Sequence, residues 1–306
     1  MNFDNIKNIK IHDVGMRDGL QMESESVDIE TKIEWIEELI KSGIDIVQVG
    51  SFVHTVKVPQ MADTDELFLH FNKPENKPAN TILSALILNE KGMERGLNSG
   101  VEMFCMGVSA SETHSMKNTG MSSAEAQTRI INMAKELMNS GKRVQVSVQS
   151  AFGCGFEGDI AEDKVLGIVK EYLNAGIKNI SLADTAGHGN PAKVQRLYSA
   201  ILKMDNDIEM ACHFHNTYGM GLANCLVAIE EGVKYIETAF GGLGGCPFTK
   251  LAAGNVCTED FVHTLQNMGY RKDIDLERLI KIAKHASGFF VKDLPGFVYK
   301  SGGIND

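Results

Sequence analysis

The chain has 306 residues, of which 43% are hydrophobic, and a formal net charge of −10 at pH 7. A large buried core is therefore possible, and the negative charge argues against a broad surface for nucleic acid or anionic membranes. No apolar run approaches the roughly 20 residues of a membrane span, and the first residues lack a leader pattern. The six cysteines show no C-x-x-C spacing, so we expect reduced thiols in a cytoplasmic protein.

Eight short runs rich in isoleucine, valine and leucine recur along the chain and predict strands covered on both faces. These runs are 9–14, 44–49, 81–86, 101–106, 144–148, 179–182, 209–213 and 235–239. Amphipathic helical patterns lie between them at 29–42, 124–139, 162–175, 191–203 and 220–231. Two further patterns, 259–268 and 275–287, predict extra helices after the eighth strand.

Several predicted helices end at a glycine just before the next strand, as at Gly43 and Gly232, and glycine is typical of such left-handed helix ends. Eight helix–strand units in regular order predict an α/β fold, a (βα)8 TIM barrel with extra C-terminal helices. We expect one catalytic domain over 1–306, with the barrel at about 7–270 and the helical extension at about 271–306. A doubly wound open sheet is the alternative, although its glycine-rich phosphate-binding motif is absent after the first strand.

Two charged residues follow the first predicted strand, and a barrel gathers the C-terminal ends of its strands at one mouth. Asp18 offers a carboxylate oxygen to a metal ion. Arg17 carries a permanent charge, which suits the stabilisation of a developing enolate oxygen. The alternative for Arg17 is a structural ion pair with a carboxylate at the same rim, and the spacing leaves both interpretations open.

His213 and His215 end the seventh predicted strand, where residues i and i+2 of an extended segment point the same way. Together with Asp18 they offer one carboxylate oxygen and two imidazole nitrogens, and Asn255 can add an amide oxygen. A mixed oxygen and nitrogen set with open positions suits Mg²⁺ or Mn²⁺. Zinc is the alternative metal, which no thiolate cluster favours. The alternative is a chance pair, with one histidine buried and the other exposed.

Two further features lie near the predicted mouth. Asp184 ends the sixth strand, where it either orients a metal ligand or forms an ordinary turn. The segment 241–247 (GGLGGCP) has four glycines in five positions, which allows backbone amides to approach a ligand closely. Cys246 on this segment is either a proton donor or acceptor, or an incidental residue of a flexible turn.

In this order, the motifs resemble those of the 3-hydroxy-3-methylglutaryl-CoA lyase family and its relatives among the metal-dependent barrel lyases and Claisen-type synthases. The matching segments are 14–21 (VGMRDGLQ), 51–53 (SFV), 58–61 (VPQM), 181–185 (SLADT), 213–219 (HFHNTYG), 242–248 (GLGGCPF) and 254–260 (GNVCTED). An Arg-Asp pair with H-x-H is typical of the wider superfamily, whereas Gly-Gly-Cys-Pro is much more specific to the lyase branch.

The resemblance implies roles for individual side chains. The implied metal ligands are Asp18, His213, His215 and Asn255. The implied catalytic groups are Arg17 for enolate charge, Cys246 for proton transfer, and Asp18 and His213. The residues expected around the ligands and the substrate are Gln21, Gln48, Asp184 and Glu259, with Gly244 and Gly245 on the substrate loop.

Position 48 departs from the family pattern, because these lyases usually carry glutamate where this chain has Gln48. A neutral amide keeps its hydrogen bonds but lacks the charge that would neutralise or orient the neighbouring arginine. We therefore expect the charge of Arg17 to be less compensated, and the site to favour a more anionic or differently placed substrate group.

The motifs predict a lyase that uses Mg²⁺ or Mn²⁺ to cleave 3-hydroxy-3-methylglutaryl-CoA, or a closely related 3-hydroxy-acyl-CoA, to acetyl-CoA and a keto acid. The resemblance also implies a homodimer that binds acyl-CoA, and the negative net charge argues against nucleic-acid or membrane partners. The nearest alternative is a Claisen-type synthase or aldolase that condenses an acyl-CoA with a keto acid. A catalytically weakened metal-binding paralogue, favoured by Gln48, is the alternative of another class.

Overall fold

Residues 4–245 and 254–304 are described by a computed structural model. Their eight parallel strands close into a barrel in chain order. The strands are β1 (Lys10–Asp13), β2 (Ile46–Ser51), β3 (Ile82–Leu86), β4 (Met103–Ser109), β5 (Arg143–Gln149), β6 (Asn179–Asp184), β7 (Glu209–Phe214) and β8 (Tyr235–Thr238). The predicted barrel is thus confirmed over the open sheet, and each strand lies within a few residues of its predicted position.

Helices cover the outside of the barrel. They are α1 (Ile29–Lys41), α2 (Thr64–Phe71), α3 (Glu90–Asn98), α4 (Glu112–Thr119), α5 (Ser123–Asn139), α6 (Glu162–Asn174), α7 (Pro191–Leu202), α8 (Gly221–Glu231), α9 (Thr258–Asn267), α10 (Leu276–Phe289) and α11 (Val298–Ser301). The predicted C-terminal helices are therefore present as α9 and α10. In the described part of the chain, no helix combines the length and the apolar character that a bilayer crossing requires.

Local signals explain where several helices begin and end. The α5 helix begins at a capping box, in which the Ser122 side chain bonds the backbone of Glu125 and the Glu125 side chain bonds the backbone of Ser122. Gly43 and Gly232 follow α1 and α8 with φ of +91° and +114°, as their positions predicted. These ends direct the chain from each outer helix back into the barrel.

The main hydrophobic core lies between the strands and the helices and includes large buried side chains such as Trp35, Tyr172 and Phe104. Ile46, Met103 and Cys105 form a smaller, separate cluster of buried residues. Other buried strand residues are polar: His12, Gln48, Ser84, Gln145, Ser181 and Glu237. Bulky aliphatic layers usually fill such a barrel, so a polar interior indicates a functional pocket.

Candidate active site

The turn after β1 carries Arg17 and Asp18. Residues Gly15–Gly19 form a single π-helical turn, in which the Val14 carbonyl accepts the N–H groups of Arg17 and Asp18 at 3.1 and 2.7 Å. A Cβ on Gly15 would lie 2.5 Å from the Phe240 ring, so only glycine fits at the start of this turn. Isolated π turns occur often at functional sites. This turn brings both charged side chains to the pocket.

The end of β7 supplies the two histidines. His215 directly follows the strand and pairs with Asn255 in an isolated antiparallel bridge. Two more backbone bonds hold this segment, from Asn216 N to Gly254 O at 2.9 Å and from Val256 N to Phe214 O at 3.1 Å. The segment before α9 therefore lies against the end of β7, which explains how Asn255 reaches the histidines.

Asp18, His213 and His215 converge on one point. Oδ2 of Asp18 lies 3.8 Å from Nε2 of His213 and 3.5 Å from Nε2 of His215. The two Nε2 atoms are 3.1 Å apart, and all three residues are buried. Across residues 4–245 and 254–304, no second group of three histidine, cysteine or carboxylate side chains converges in this way.

The fit of a divalent cation to this group can be judged from the polar atoms around it. Nδ2 of Asn255 donates to Oδ2 of Asp18 at 2.9 Å and to the Leu243 carbonyl at 2.9 Å, whereas its Oδ1 is buried without a hydrogen-bond partner. A half-turn of this amide would direct Oδ1 towards Asp18. The group then offers two oxygens and two imidazole nitrogens, a donor set that suits Mg²⁺ or Mn²⁺.

Charge within the pocket keeps Asp18 ionised. Burial alone would raise the pKa of its carboxyl, but Arg17 and the two histidines outweigh burial and hold the pKa well below its ordinary value. Burial acts against the charged form of His213, yet the hydrogen bond with Glu237 and the charge of Asp18 raise its pKa. A carboxylate that stays ionised in a buried pocket is available to a cation over the whole neutral range.

The Arg17 guanidinium contacts two neighbouring side chains, those of Asp18 and Gln48. Nη1 lies 2.5 Å from Oδ1 of Asp18, and Nε donates to Oε1 of Gln48. Nε2 of Gln21 donates to the same Oδ1 at 3.1 Å. The positive charge of Arg17 is therefore balanced by Asp18 rather than by residue 48. The sequence predicted a less compensated Arg17, but Asp18 in the same turn supplies the negative charge that Gln48 lacks.

Sequence reasoning missed Glu237, which lies beside the metal-ligating candidates. Its Oε2 is 2.9 Å from Nδ1 of His213, and the two residues are register partners on neighbouring strands. The sequence does contain one indication of its importance, because Glu237 is a charged residue within the short, mostly buried strand β8. The motifs around it gave no reason to single it out.

The glycine-rich loop approaches the same point. A Cβ on Gly244, whose φ is +110°, would lie 2.5 Å from Nδ2 of Asn255 and 3.3 Å from the Asp18 carbonyl, so the backbone passes close to both residues. Gly245 lines the pocket. Cys246, which the sequence singles out, lies outside the described residues.

Two other predicted residues organise loops around the site. The Asp184 carboxylate accepts the N–H groups of His188 and Gly189 at 2.8 and 2.9 Å, which is the turn role that the sequence allowed. Glu259 accepts the N–H of Gly241 at 3.0 Å and thereby fixes the start of the glycine-rich loop. Burial raises the pKa of Glu259 to about 8.

A cavity of about 350 Å³ is lined by Arg17, Asp18, His213, His215 and Glu237, among others. The apolar residues of its lining include Val53, Val58, Leu86, Leu88 and Met106. The amides of Gln48, Gln145 and Gln149 supply polar surface. Cys105 also lines the cavity, but burial and the charge of Glu237 raise the pKa of its thiol to about 12, which makes it a poor proton donor near neutral pH.

Comparison with known proteins agrees with this geometry. A family model described as HMGL-like matches residues 8–285. The chain belongs to the HMGL-like family. It is a carbon–carbon lyase, as the names of its curated relatives indicate.

Three similar proteins illustrate the range of this HMGL-like family. A hydroxymethylglutaryl-CoA lyase of Bacillus subtilis is 33% identical over 293 residues, which cover 94% of this chain and 95% of that protein. An (R)-citramalyl-CoA lyase of Chloroflexus aurantiacus is 33% identical over 302 residues, or 97% of this chain and 95% of the relative. The structure of an HMG-CoA lyase from Acinetobacter baumannii in complex with coenzyme A and 3-methylmalate matches with a TM-score of 0.91 and 35% identity, covering 100% of this chain and 98% of that one.

Proposed function

We propose that this chain cleaves 3-hydroxy-3-methylglutaryl-CoA, or a closely related 3-hydroxy-acyl-CoA, to acetyl-CoA and a keto acid, with Mg²⁺ or Mn²⁺ as its cofactor. The convergence of Asp18, His213 and His215 within the pocket carries this proposal. The unpartnered Oδ1 of Asn255 supports its inclusion as a fourth protein ligand. The acyl-CoA class is supported by the names of the curated relatives and by the coenzyme A bound to the Acinetobacter enzyme.

A bound divalent cation would lower the pKa of the substrate's C3 hydroxyl. In the proposed reaction Asp18 accepts the hydroxyl proton, the electron pair of that O–H bond forms the C3 carbonyl, and the C2–C3 bond breaks with its electrons moving to C2. The low pKa of Asp18 makes it a weak base, so it depends on an acidified hydroxyl.

Two further side chains complete the proposed reaction. Arg17 stabilises the charge that develops on the thioester oxygen of the acetyl-CoA enolate, because its guanidinium is held in place by Asp18 and Gln48. Cys246 then donates a proton to C2 and releases acetyl-CoA. The position of Gly244 and Gly245 beside Asp18 and in the pocket lining supports a role for the residue that follows them.

The proposal also specifies which acyl group the substrate carries. The apolar residues that line the cavity suit an alkyl substituent at C3. The Gln48 amide holds Arg17 by a hydrogen bond without adding charge, since Asp18 already balances the guanidinium. Citramalyl-CoA is the second candidate substrate, because the Chloroflexus relative is named for it.

The test is a direct assay of both thioesters with the purified enzyme and Mg²⁺ or Mn²⁺, with acetyl-CoA detected by mass spectrometry. We expect acetyl-CoA release that needs the metal and is lost in His213→Ala. Release from neither thioester would contradict the proposal. Consumption of acetyl-CoA together with a keto acid would favour the synthase alternative, and metal binding without turnover of any thioester would favour the weakened paralogue.

We also propose that the enzyme works as a cytoplasmic homodimer with one catalytic domain per chain. The family resemblance supports the dimer. The free and buried state of Cys105, Cys154, Cys212, Cys225 and Cys257 supports a reducing compartment. Light scattering of the purified protein would give a mass of two chains if the dimer forms.

A further inference from the structure

Glu237 is a buried carboxylate that contacts His213, one of the candidate metal ligands. It is 6% exposed, and its Oε2 lies 2.9 Å from Nδ1 of His213. Its second oxygen, Oε1, is buried without a hydrogen-bond partner. A buried carboxylate with half of its acceptor capacity unused is costly unless a positive charge lies nearby.

The contact with Glu237 determines which nitrogen of His213 is free. Because a carboxylate accepts hydrogen bonds, Nδ1 carries the proton and Nε2 of the neutral ring presents a lone pair. That Nε2 is the atom which lies 3.1 Å from His215 and 3.8 Å from Oδ2 of Asp18. The ring is therefore fixed in the tautomer and orientation that a cation at this point requires.

Glu237 has a second role, which is to contribute negative charge to the pocket. Among the described residues that line the cavity, the carboxylates are Asp18 and Glu237, and Arg17 is the arginine. Since Arg17 and Asp18 neutralise each other and position 48 is an amide, Glu237 supplies the negative charge that remains to offset a dication. The register of the two strands brings Glu237 to this position, because His213 on β7 pairs with Glu237 on β8.

We propose that Glu237 is a positioning residue for the metal: it orients His213 through Nδ1 and provides the carboxylate charge that Gln48 does not supply. This inference rests on the proposed metal-dependent function, but it concerns affinity for the ion rather than the reaction. Glu237 acts through His213 and has no direct contact with the substrate in this scheme.

The test measures Mn²⁺ binding by titration calorimetry in wild type, Glu237→Gln and Glu237→Asp, without any acyl-CoA. We expect Glu237→Gln to weaken Mn²⁺ binding roughly 10- to 100-fold, the range found for partners of metal-ligating histidines. Glu237→Asp keeps the charge but draws it away from Nδ1, so its affinity should lie between the two. Ser84→Ala is the matched control, since Ser84 lies in the same buried interior but contacts His12 at 2.8 Å instead of a metal-ligating candidate.

Thermal unfolding of the metal-free proteins separates positioning from a merely structural role. Glu237→Gln leaves His213 without its charged partner, so we expect the metal-free variant to unfold at a somewhat lower temperature than wild type. The loss of Mn²⁺ affinity should be larger than this destabilisation alone would produce. A variant that loses metal affinity only in proportion to a lower unfolding temperature would overturn the inference. So would wild-type Mn²⁺ affinity in Glu237→Gln. Failure of the wild type itself to bind Mn²⁺ would instead overturn the proposed function and, with it, this inference.

Discussion

The Nε2 atoms of His213 and His215 lie 3.1 Å apart inside the barrel. At this separation only one of the two nitrogens can carry a proton towards the other, so at least one lone pair faces the shared space. Oδ2 of Asp18 approaches the same space, 3.5 Å from the His215 nitrogen. Two basic nitrogens and an ionised carboxylate held this close are an arrangement that a shared cation stabilises.

Arg17→Lys tests whether the shape of the guanidinium matters as well as its charge. Lysine cannot bond Asp18 and Gln48 from one planar group, so its ammonium is held less firmly where enolate charge develops. We expect kcat to fall roughly 100- to 1,000-fold, the scale of a lost oxyanion donor. Arg129→Lys, which alters an arginine paired with exposed Glu90, should leave kcat near the wild-type value. Equal kcat in Arg17→Lys and wild type would remove Arg17 from the reaction.

Cys246→Ala tests the proposed proton donor. Because Cys246 is assigned no metal contact, Mn²⁺ affinity should stay nearly unchanged while turnover falls roughly 100-fold or more, as for a lost general acid. Cys105→Ala is the control, since a thiol with a pKa of about 12 has little use as an acid. Calorimetry and steady-state kinetics on both variants make the comparison. A parallel loss of metal affinity in Cys246→Ala would assign Cys246 to another role.

Gln48→Glu tests the departure at the second strand. The new carboxylate would accept the same bond from Nε of Arg17 with a full charge, a gain of about 1 kcal/mol in that contact. A firmer hold on Arg17 raises kcat/KM only where it strengthens the interaction with the developing enolate charge, so we expect a rise of up to about fivefold for 3-hydroxy-3-methylglutaryl-CoA. Steady-state assays with this substrate and with citramalyl-CoA would detect the change. A lower or unchanged value for the first substrate would count against Gln48 as a determinant of specificity.

The raised pKa of Glu259 predicts that the free energy of unfolding depends on pH. Its pKa is raised by burial from 4.5 to about 8, so between these values the folded protein holds a proton that the unfolded chain releases. The free energy of unfolding should therefore decrease as pH rises through this window, by up to about 1.4 kcal/mol per pH unit from this one group, and level off above it.

Urea unfolding of wild type and Glu259→Gln at about pH 6 and about pH 8.5 measures this contribution. The glutamine variant cannot ionise, so its stability relative to wild type should improve by about 2–3 kcal/mol at the higher pH. If wild type and Glu259→Gln differ in stability by the same amount at both pH values, Glu259 does not hold a proton in the folded protein.

The fold could be predicted because each strand is a compact apolar run, and because glycines such as Gly232 mark helix ends locally. The bounds of the short helices α2, α3 and α4 were not predicted from the sequence. α3 has nine residues and includes Gly92 and Gly96, which favour helix weakly. A Cβ on Gly96 would lie 2.6 Å from the Phe104 ring, so this glycine is explained by packing that the local sequence does not reveal.

The site was predictable only where residue types form a motif. Asp18, His213 and His215 stand in recognisable segments, and the barrel brings them together. The position of Asn255 depends on an isolated bridge to His215, and that of Glu237 on strand register, so neither contact can be derived from local sequence. Register across a closed barrel is a property of the whole sheet.

The central claim is that Asp18, His213, His215 and Asn255 share one divalent cation. Crystals of the protein soaked in Mn²⁺ and measured by anomalous diffraction test it most directly. We predict a single strong anomalous peak between Oδ2 of Asp18 and the two Nε2 atoms, with the Asn255 amide turned so that Oδ1 faces the ion. A peak held by other residues, or no peak at this point, would contradict the account.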